Sequence, residues 1–233
     1  MTDTNDLAKF QEDTSSVLTK TLTGLIEGIT GVAASEKKEI YLSVGHLLQA
    51  VRKGKFLSQF LTEWNQYRDK GRIKEDYQTT EQHYTCIQEI LDFLDSDPPE
   101  EIRFDILKNI FLVAATEKVT DRNSLLPQQY MKVCRTLSSG EIIVLSTAYK
   151  LSQVSKLEYE KYNSAAMWLK KIAEDSGLIH PELVEIHEEE LMKKHLLSPR
   201  ECSDRSGIRV NPRFRLTGLG FDICNYIENY VEK

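Results

Sequence analysis

Hydrophobic residues recur at intervals of three and four through most of the first 136 positions. This is the period of α-helices that bury one face, and it predicts a helical bundle over residues 1–136. A pair of helices bent or broken around Gly54 is followed by helices from about Thr79 to Leu94, Pro98 to Lys118 and Ser124 to Arg135.

A second domain is predicted to begin at Leu137 and to span residues 137–233. Ser138 and Glu141 have the spacing of a capping box, in which each side chain satisfies a free backbone N–H of the first helical turn. The helix that begins there extends to about Ser152. Two more helices are predicted, from about Ser164 to Asp175 and from Pro181 to about Leu197.

The hydrophobic period then changes from helical to alternating. Between Ile208 and Leu216 every even position is apolar and every odd position is polar, as in a half-buried strand. The segment 196–202 is its expected partner, and residues 204–207 provide turn-forming side chains for a two-stranded hairpin. A last helix is predicted from about Leu219 to Val231.

Three helices, a hairpin and a closing helix, in this order, resemble the winged helix-turn-helix domain over roughly residues 137–233. The segment 214–220, Phe-Arg-Leu-Thr-Gly-Leu-Gly, looks like the strand-to-helix exit of that family. The predicted fold class is therefore mainly α, with an N-terminal helical bundle followed by a winged-helix-like α+β domain. The resemblance implies DNA binding through the third helix and the wing, or protein interaction where those surfaces have changed role.

Over the whole chain, the helical first part, the Leu-Ser-Ser-Gly-Glu phrase at 137–141 and the winged-helix-like end are similar to the abortive-infection alpha proteins of bacterial phage defence. This similarity implies a role in phage defence. It implies no catalytic residues.

The third helix of the second domain is acidic where a DNA-reading helix would need basic or amide groups. We interpret Glu182, Glu185 and Glu189 as an acidic binding surface, with Glu188 and Glu190 adding to the negative charge. Lys193 and Lys194 are expected to pair with Glu189 and Glu190 at i and i+4. Carboxylates close to phosphate groups oppose binding, so this helix is not expected to enter a major groove.

The hairpin has the opposite charge. Arg209, Arg213 and Arg215 are expected on one strand face with Arg200 and Arg205 nearby, and we call these five residues the arginine wing. Such a wing can dock on an acidic partner or contact DNA phosphates and a narrow minor groove. It can also be a solvated face, or one neutralised by the molecule's own acidic third helix.

The overall composition favours an ordinary globular protein, with 40% hydrophobic and 28% charged residues. A net charge of -6 argues against general attraction to nucleic acid or anionic membranes. Four dispersed cysteines without a CxxC pair, a polar acidic N-terminus and the lack of a long apolar stretch predict a cytoplasmic protein with no transmembrane segment.

No catalytic, metal or cofactor signature is found. The His-Glu-Glu-Glu-Leu sequence at 187–191 lacks the second histidine of a zinc-protease helix, and His83 with Cys86 provides only two ligands. The leading hypothesis is a non-enzymatic interaction or regulatory protein that binds a protein partner or a second copy of itself through the degenerate winged-helix domain. The alternative is a DNA-binding regulator that contacts DNA through the arginine wing.

Overall fold

The computed structural model describes residues 34–74, 76–96, 100–120, 123–154, 160–162, 164–199, 201–203, 207–209 and 215–230. Eight α-helices lie within these ranges: α1 (Ala34–Asp69), α2 (Glu81–Ser96), α3 (Glu101–Thr116), α4 (Leu126–Arg135), α5 (Ser139–Ser152), α6 (Ala165–Ser176), α7 (Pro181–Lys193) and α8 (Gly218–Glu228). Short 3-10 turns occupy Tyr77–Thr79 and Glu160–Tyr162. The protein is therefore mainly helical, as the hydrophobic period predicts.

Two short strands precede α8. Strand β1 (Glu201–Ser203) and strand β2 (Gly207–Arg209) pair antiparallel, with Cys202 opposite Ile208. Outside these two strands, Leu197 and Leu216 form an isolated antiparallel bridge.

The chain divides into two compact units, Met1–Ser58 and Gln59–Lys233. In the first unit, the described residues belong to α1, which is helical without interruption at Gly54. Of the bend or break predicted at Gly54, the break is therefore wrong. An isolated glycine in a helix costs only about 1 kcal/mol relative to alanine, which a long helix tolerates.

Helix α3 is the central helix of the second unit and packs against α2, α4, α5 and α8. Its side chains are buried around almost the whole circumference, which is typical of a helix enclosed by neighbours. Phe111 lies at the centre of an aromatic cluster, with ring centroids 5.2 Å from Phe60, 5.2 Å from Trp64 and 6.0 Å from Tyr77. Phe60 and Trp64 are one helical turn apart, so this part of α1 faces the core.

Helices α5, α6 and α7 pack against one another in pairs. The start of α5 has the predicted capping box: the Glu141 N–H donates to Ser138 Oγ at 3.3 Å, and the Ser138 N–H donates to Glu141 Oε2 at 2.6 Å. Helix α6 ends at Ser176 and is followed by Gly177, whose φ of 74° lies in the left-handed region that favours glycine. Pro181 then opens the first turn of α7, where its missing N–H has no cost.

The predicted boundary between residues 136 and 137 lies inside the second unit. Contacts cross it: Lys194 Nζ donates to the Thr136 carbonyl at 2.9 Å, and the rings of Tyr130 and Tyr226 are 5.4 Å apart. The division into a helical bundle of 1–136 and a winged-helix-like domain of 137–233 stays a prediction.

Candidate functional site

The acidic and apolar surface of α7, together with the segment just before α8, is the strongest candidate for a functional site. Within the arginine wing, Arg209 ends β2, and Arg215 lies just before the bridge residue Leu216. Arg200, Arg205 and Arg213 lie outside the described residues. Of the five arginines, only Arg215 therefore has a side chain that the structure describes.

Arg215 is buried, with an exposed fraction of 2%, and it does not belong to an exposed strand face. Its Nη2 donates to Oε2 of the fully buried Glu188 at 2.8 Å, and its Nη1 lies 3.6 Å from Met192 Sδ. The expectation that Arg215 faces solvent beside Arg209 and Arg213 is corrected. A guanidinium can leave water at this depth because a carboxylate neutralises it and accepts its hydrogen bond.

Glu188 receives a second hydrogen bond from the neighbouring helix. Trp168 Nε1 of α6 donates to Glu188 Oε1 at 2.5 Å, and Trp168 is itself fully buried. One carboxylate thus connects α6, α7 and the segment before α8. We call Trp168, Glu188 and Arg215 the buried triad.

The backbone around Arg215 is fixed as well. The Ser198 N–H donates to the Arg215 carbonyl at 2.7 Å, and the Thr217 N–H donates to the Leu196 carbonyl at 3.2 Å. Thr217 caps α8 through its hydroxyl, which accepts from the Gly220 N–H at 3.0 Å. A Cβ at Gly220 would overlap the Leu196 carbonyl oxygen, so glycine permits this close approach.

The opposite side of α7 is exposed. Glu182 and Glu189 are exposed and Glu185 is partly exposed, so the three residues predicted as an acidic surface do lie along one helix toward solvent. Two large apolar side chains at intervening sequence positions are also exposed. Ile186 is 56% exposed and Leu183 is 40% exposed. Glu182, Leu183, Ile186 and Glu189 form what we call the outer face of α7.

A third exposed apolar side chain, that of Ile179, lies two residues before α7. Ile179 has an exposed fraction of 76% and a positive φ of 66°, in the left-handed region. A β-branched residue rarely adopts this conformation because its side chain crowds the backbone. The turn therefore holds a large apolar side chain in solvent in a strained conformation, an arrangement that concentrates at functional sites.

The lysines at the end of α7 have other partners than the sequence predicts. Lys193 Nζ pairs with Glu190 Oε1 at 2.7 Å, at i and i+3, and this hydrogen bond raises the pKa of Lys193. Lys194 pairs with Glu141 at the start of α5. The expected pairs of Glu189 with Lys193 and Glu190 with Lys194 are thus corrected, because Lys194 points towards α5.

Glu141 serves both the capping box and this ion pair. Burial alone would raise its pKa, but the hydrogen bonds from Lys194 and Ser138 outweigh burial and lower it. The ionised carboxylate therefore holds the start of α5 and the end of α7 together. This contact shares no residue with the buried triad.

His187 contacts α5 through a close helix approach. A Cβ at Gly140 would overlap the His187 ring, so the first turn of α5 accommodates the imidazole only because residue 140 has no side chain. The histidine of the rejected zinc-protease match is thus a packing residue at a helix contact.

In the other pair tested for chemistry, Cys86 lies in the core and His83 is half-buried. His83 packs 5.5 Å from Trp64 and 5.3 Å from Tyr77 between ring centroids, and burial lowers its pKa. Cys86 is fully buried, which raises the pKa of its thiol to about 12 and makes it a poor nucleophile. Among the described residues, no group of three or more His, Cys, Asp or Glu side chains could hold a metal ion.

Sequence reasoning missed the burial of Glu188. A signal was present, because Val184, Glu188 and Leu191 are spaced at four and three residues and form one helical stripe, all of it buried. The spacing alone did not lead to this prediction, because glutamate is almost never fully buried unless it is paired.

Comparison of this chain with protein-family models, curated proteins and solved structures finds no match. In the part of the chain that the structure describes, no helix is both long enough and apolar enough to cross a membrane.

Proposed function

We propose that this is a non-enzymatic interaction or regulatory protein that binds a protein partner, or a second copy of itself, through a degenerate winged-helix domain. The outer face of α7 makes the contact. The observation that supports this most directly is the combination of exposed apolar side chains with carboxylates on the helix that, in a winged-helix protein, would read DNA. A role in phage defence rests on the sequence resemblance alone.

Electrostatics argue against DNA as the ligand of α7. Glu182 and Glu189 would lie close to the DNA phosphates, and the repulsion between like charges would oppose binding. Lys193 does not offset this repulsion, because it already pairs with Glu190. Leu183 and Ile186 offer no hydrogen bond to a base edge. Covering this face with a protein surface is favourable for two reasons. The apolar side chains leave water, and the carboxylates can pair with basic side chains of the partner.

The buried triad makes this helix a rigid platform. Glu188 accepts hydrogen bonds from Trp168 at 2.5 Å and from Arg215 at 2.8 Å, so the inner side of α7 is fixed to α6 and to the segment before α8. A fixed helix loses little conformational freedom on binding, which favours affinity. The triad thus supports the outer face without belonging to it.

Fluorescence anisotropy of a labelled DNA duplex at about 50 and 200 mM salt tests the proposal, with light scattering on the same samples for the mass. We expect no salt-sensitive DNA binding. Salt-sensitive binding that weakens in the variant Arg209→Glu/Arg213→Glu would instead establish the alternative, a regulator that contacts DNA through the wing. Arg215 is excluded from that variant because its replacement would disrupt the fold.

A further inference from the structure

We infer that the outer face of α7, extended by Ile179, is a docking site for a basic amphipathic helix of a partner protein. This inference rests on the proposed function and names the chemistry of the partner. It follows from three properties of the surface: its apolar spacing, its charge, and its helical shape.

The apolar part has the spacing of a helix-binding ridge. Leu183 and Ile186 are three residues apart in α7, an interval at which side chains share one helix face, and Ile179 adds an exposed apolar side chain in the turn before the helix. A partner helix with apolar residues three and four positions apart could pack its side chains against Leu183 and Ile186, with Ile179 extending the apolar surface.

The carboxylates of this face favour a partner with positive charge. Glu182 and Glu189 are one helical turn from Ile186 on either side along α7, and both are exposed. Lys193 is the exposed cation near the end of this face, and its ammonium group pairs with Glu190 at 2.7 Å. The surface around Ile186 is therefore acidic, and lysine or arginine on the partner would complement it.

This chemistry favours a protein helix over other ligands. A nucleic acid or an anionic membrane would place its phosphates against carboxylates. An added β-strand needs a free sheet edge, and α7 offers none because its backbone groups are used within the helix. An apolar and basic helix satisfies both the hydrophobic and the acidic side chains.

The first experiment uses a labelled 18-residue peptide of leucine and lysine patterned as an amphipathic helix, with a pattern-scrambled peptide of the same composition as its control. Binding to the full chain is measured by fluorescence anisotropy. We expect the patterned peptide to bind at least tenfold more tightly than the scrambled one. Equal binding of the two, or no binding of the patterned peptide, would overturn the inference.

Variants of the chain locate the site. Leu183→Ser/Ile186→Ser should weaken binding of the patterned peptide about tenfold or more, since loss of central apolar anchors costs over 1 kcal/mol each in typical interfaces. Glu182→Gln/Glu189→Gln should weaken binding less and flatten its salt dependence. The matched controls are Leu125→Ser and Glu81→Gln, two exposed positions outside α7, which should leave binding unchanged. Equal effects of control and site variants would refute the location.

Light scattering over a range of protein concentrations separates this inference from the proposed function. A dimer that Ile186→Glu converts to monomer would show that a second copy covers the face, so the proposed function would stand and the basic partner helix would be overturned. DNA binding that the outer-face variants alter would overturn both. A monomer that binds the patterned peptide supports both.

Discussion

The two sides of α7 use the same residue type for opposite purposes. On the inner side Glu188 is fully buried and holds Trp168 and Arg215, while on the outer side Glu182 and Glu189 face water beside Ile186. The helical position decides which role a glutamate takes, because the stripe through Val184 and Leu191 faces the core. The acidic character of α7 is thus partly structural and partly available for binding.

This comparison also separates stability from binding. On the inner side, folding takes Glu188 and Arg215 out of water and pairs them with each other. Removing one partner of such a pair lowers stability strongly, whereas replacing both by apolar side chains changes it little. The outer side contributes little to the fold and leaves the apolar side chains of Leu183 and Ile186 exposed. Substitutions on the two sides should therefore give effects that differ in kind as well as in size.

The largest effect is expected from Arg215→Ala. This change leaves the Glu188 carboxylate buried without its cation, so the free energy of unfolding should fall by about 3–5 kcal/mol. Urea denaturation followed by circular dichroism measures it. The double variant Glu188→Leu/Arg215→Met, which removes both charges and fills the space, should recover most of the loss. A fall of less than about 1 kcal/mol in Arg215→Ala would show that the pair is hydrated and would remove the contrast between the sides.

A smaller effect is expected where α7 meets α5. Gly140→Ala places a methyl group into the His187 ring, and we expect a loss of about 1 kcal/mol or more in the free energy of unfolding. In a His187→Ala background the overlap disappears, and the same change should become neutral or stabilising because alanine favours the helix. This double-mutant cycle isolates the contact. Equal losses in both backgrounds would contradict it.

The contact between Glu141 and Lys194 should appear in the pH dependence of stability. The folded state lowers the pKa of Glu141, so the stabilisation is present above the unfolded-state pKa of about 4.3 and is lost as the pH falls through the lower folded-state value. Glu141→Gln should remove this part of the acid dependence, and Lys194→Met should reduce it. Urea denaturation between about pH 6 and pH 3 measures the difference. An unchanged slope in both variants would contradict the assigned cause.

The sequence predicts helical structure well wherever one period continues over many residues. The helical character of the chain, the capping box at Ser138 and the glycine end of α6 follow from local rules that need no knowledge of the tertiary fold. The break expected at Gly54 fails because tertiary and helical context tolerate a single glycine.

Prediction fails at Arg215 for an equally physical reason. Alternation places odd positions on the outer side only while the strand is continuous. Arg215 itself is helical rather than extended, and it directly precedes Leu216, which pairs with Leu197 in a bridge, so strand alternation does not determine the direction of its side chain. The alternative that the acidic third helix neutralises a wing arginine fits Arg215, whose partner is Glu188 of α7.

The smallest effect should come from the outer face itself. Glu182→Gln, Glu189→Gln and Ile186→Ser each remove a group that is exposed to solvent, so the free energy of unfolding should change by less than about 0.5 kcal/mol. Ile186→Ser is the most informative of the three, because an apolar side chain that stays in water does not stabilise the folded protein, so its loss should leave stability unchanged. A loss above about 1.5 kcal/mol would mean that Ile186 is covered in the folded protein, as in a dimer. The contrast between the two sides of α7 would then become one between two packed surfaces.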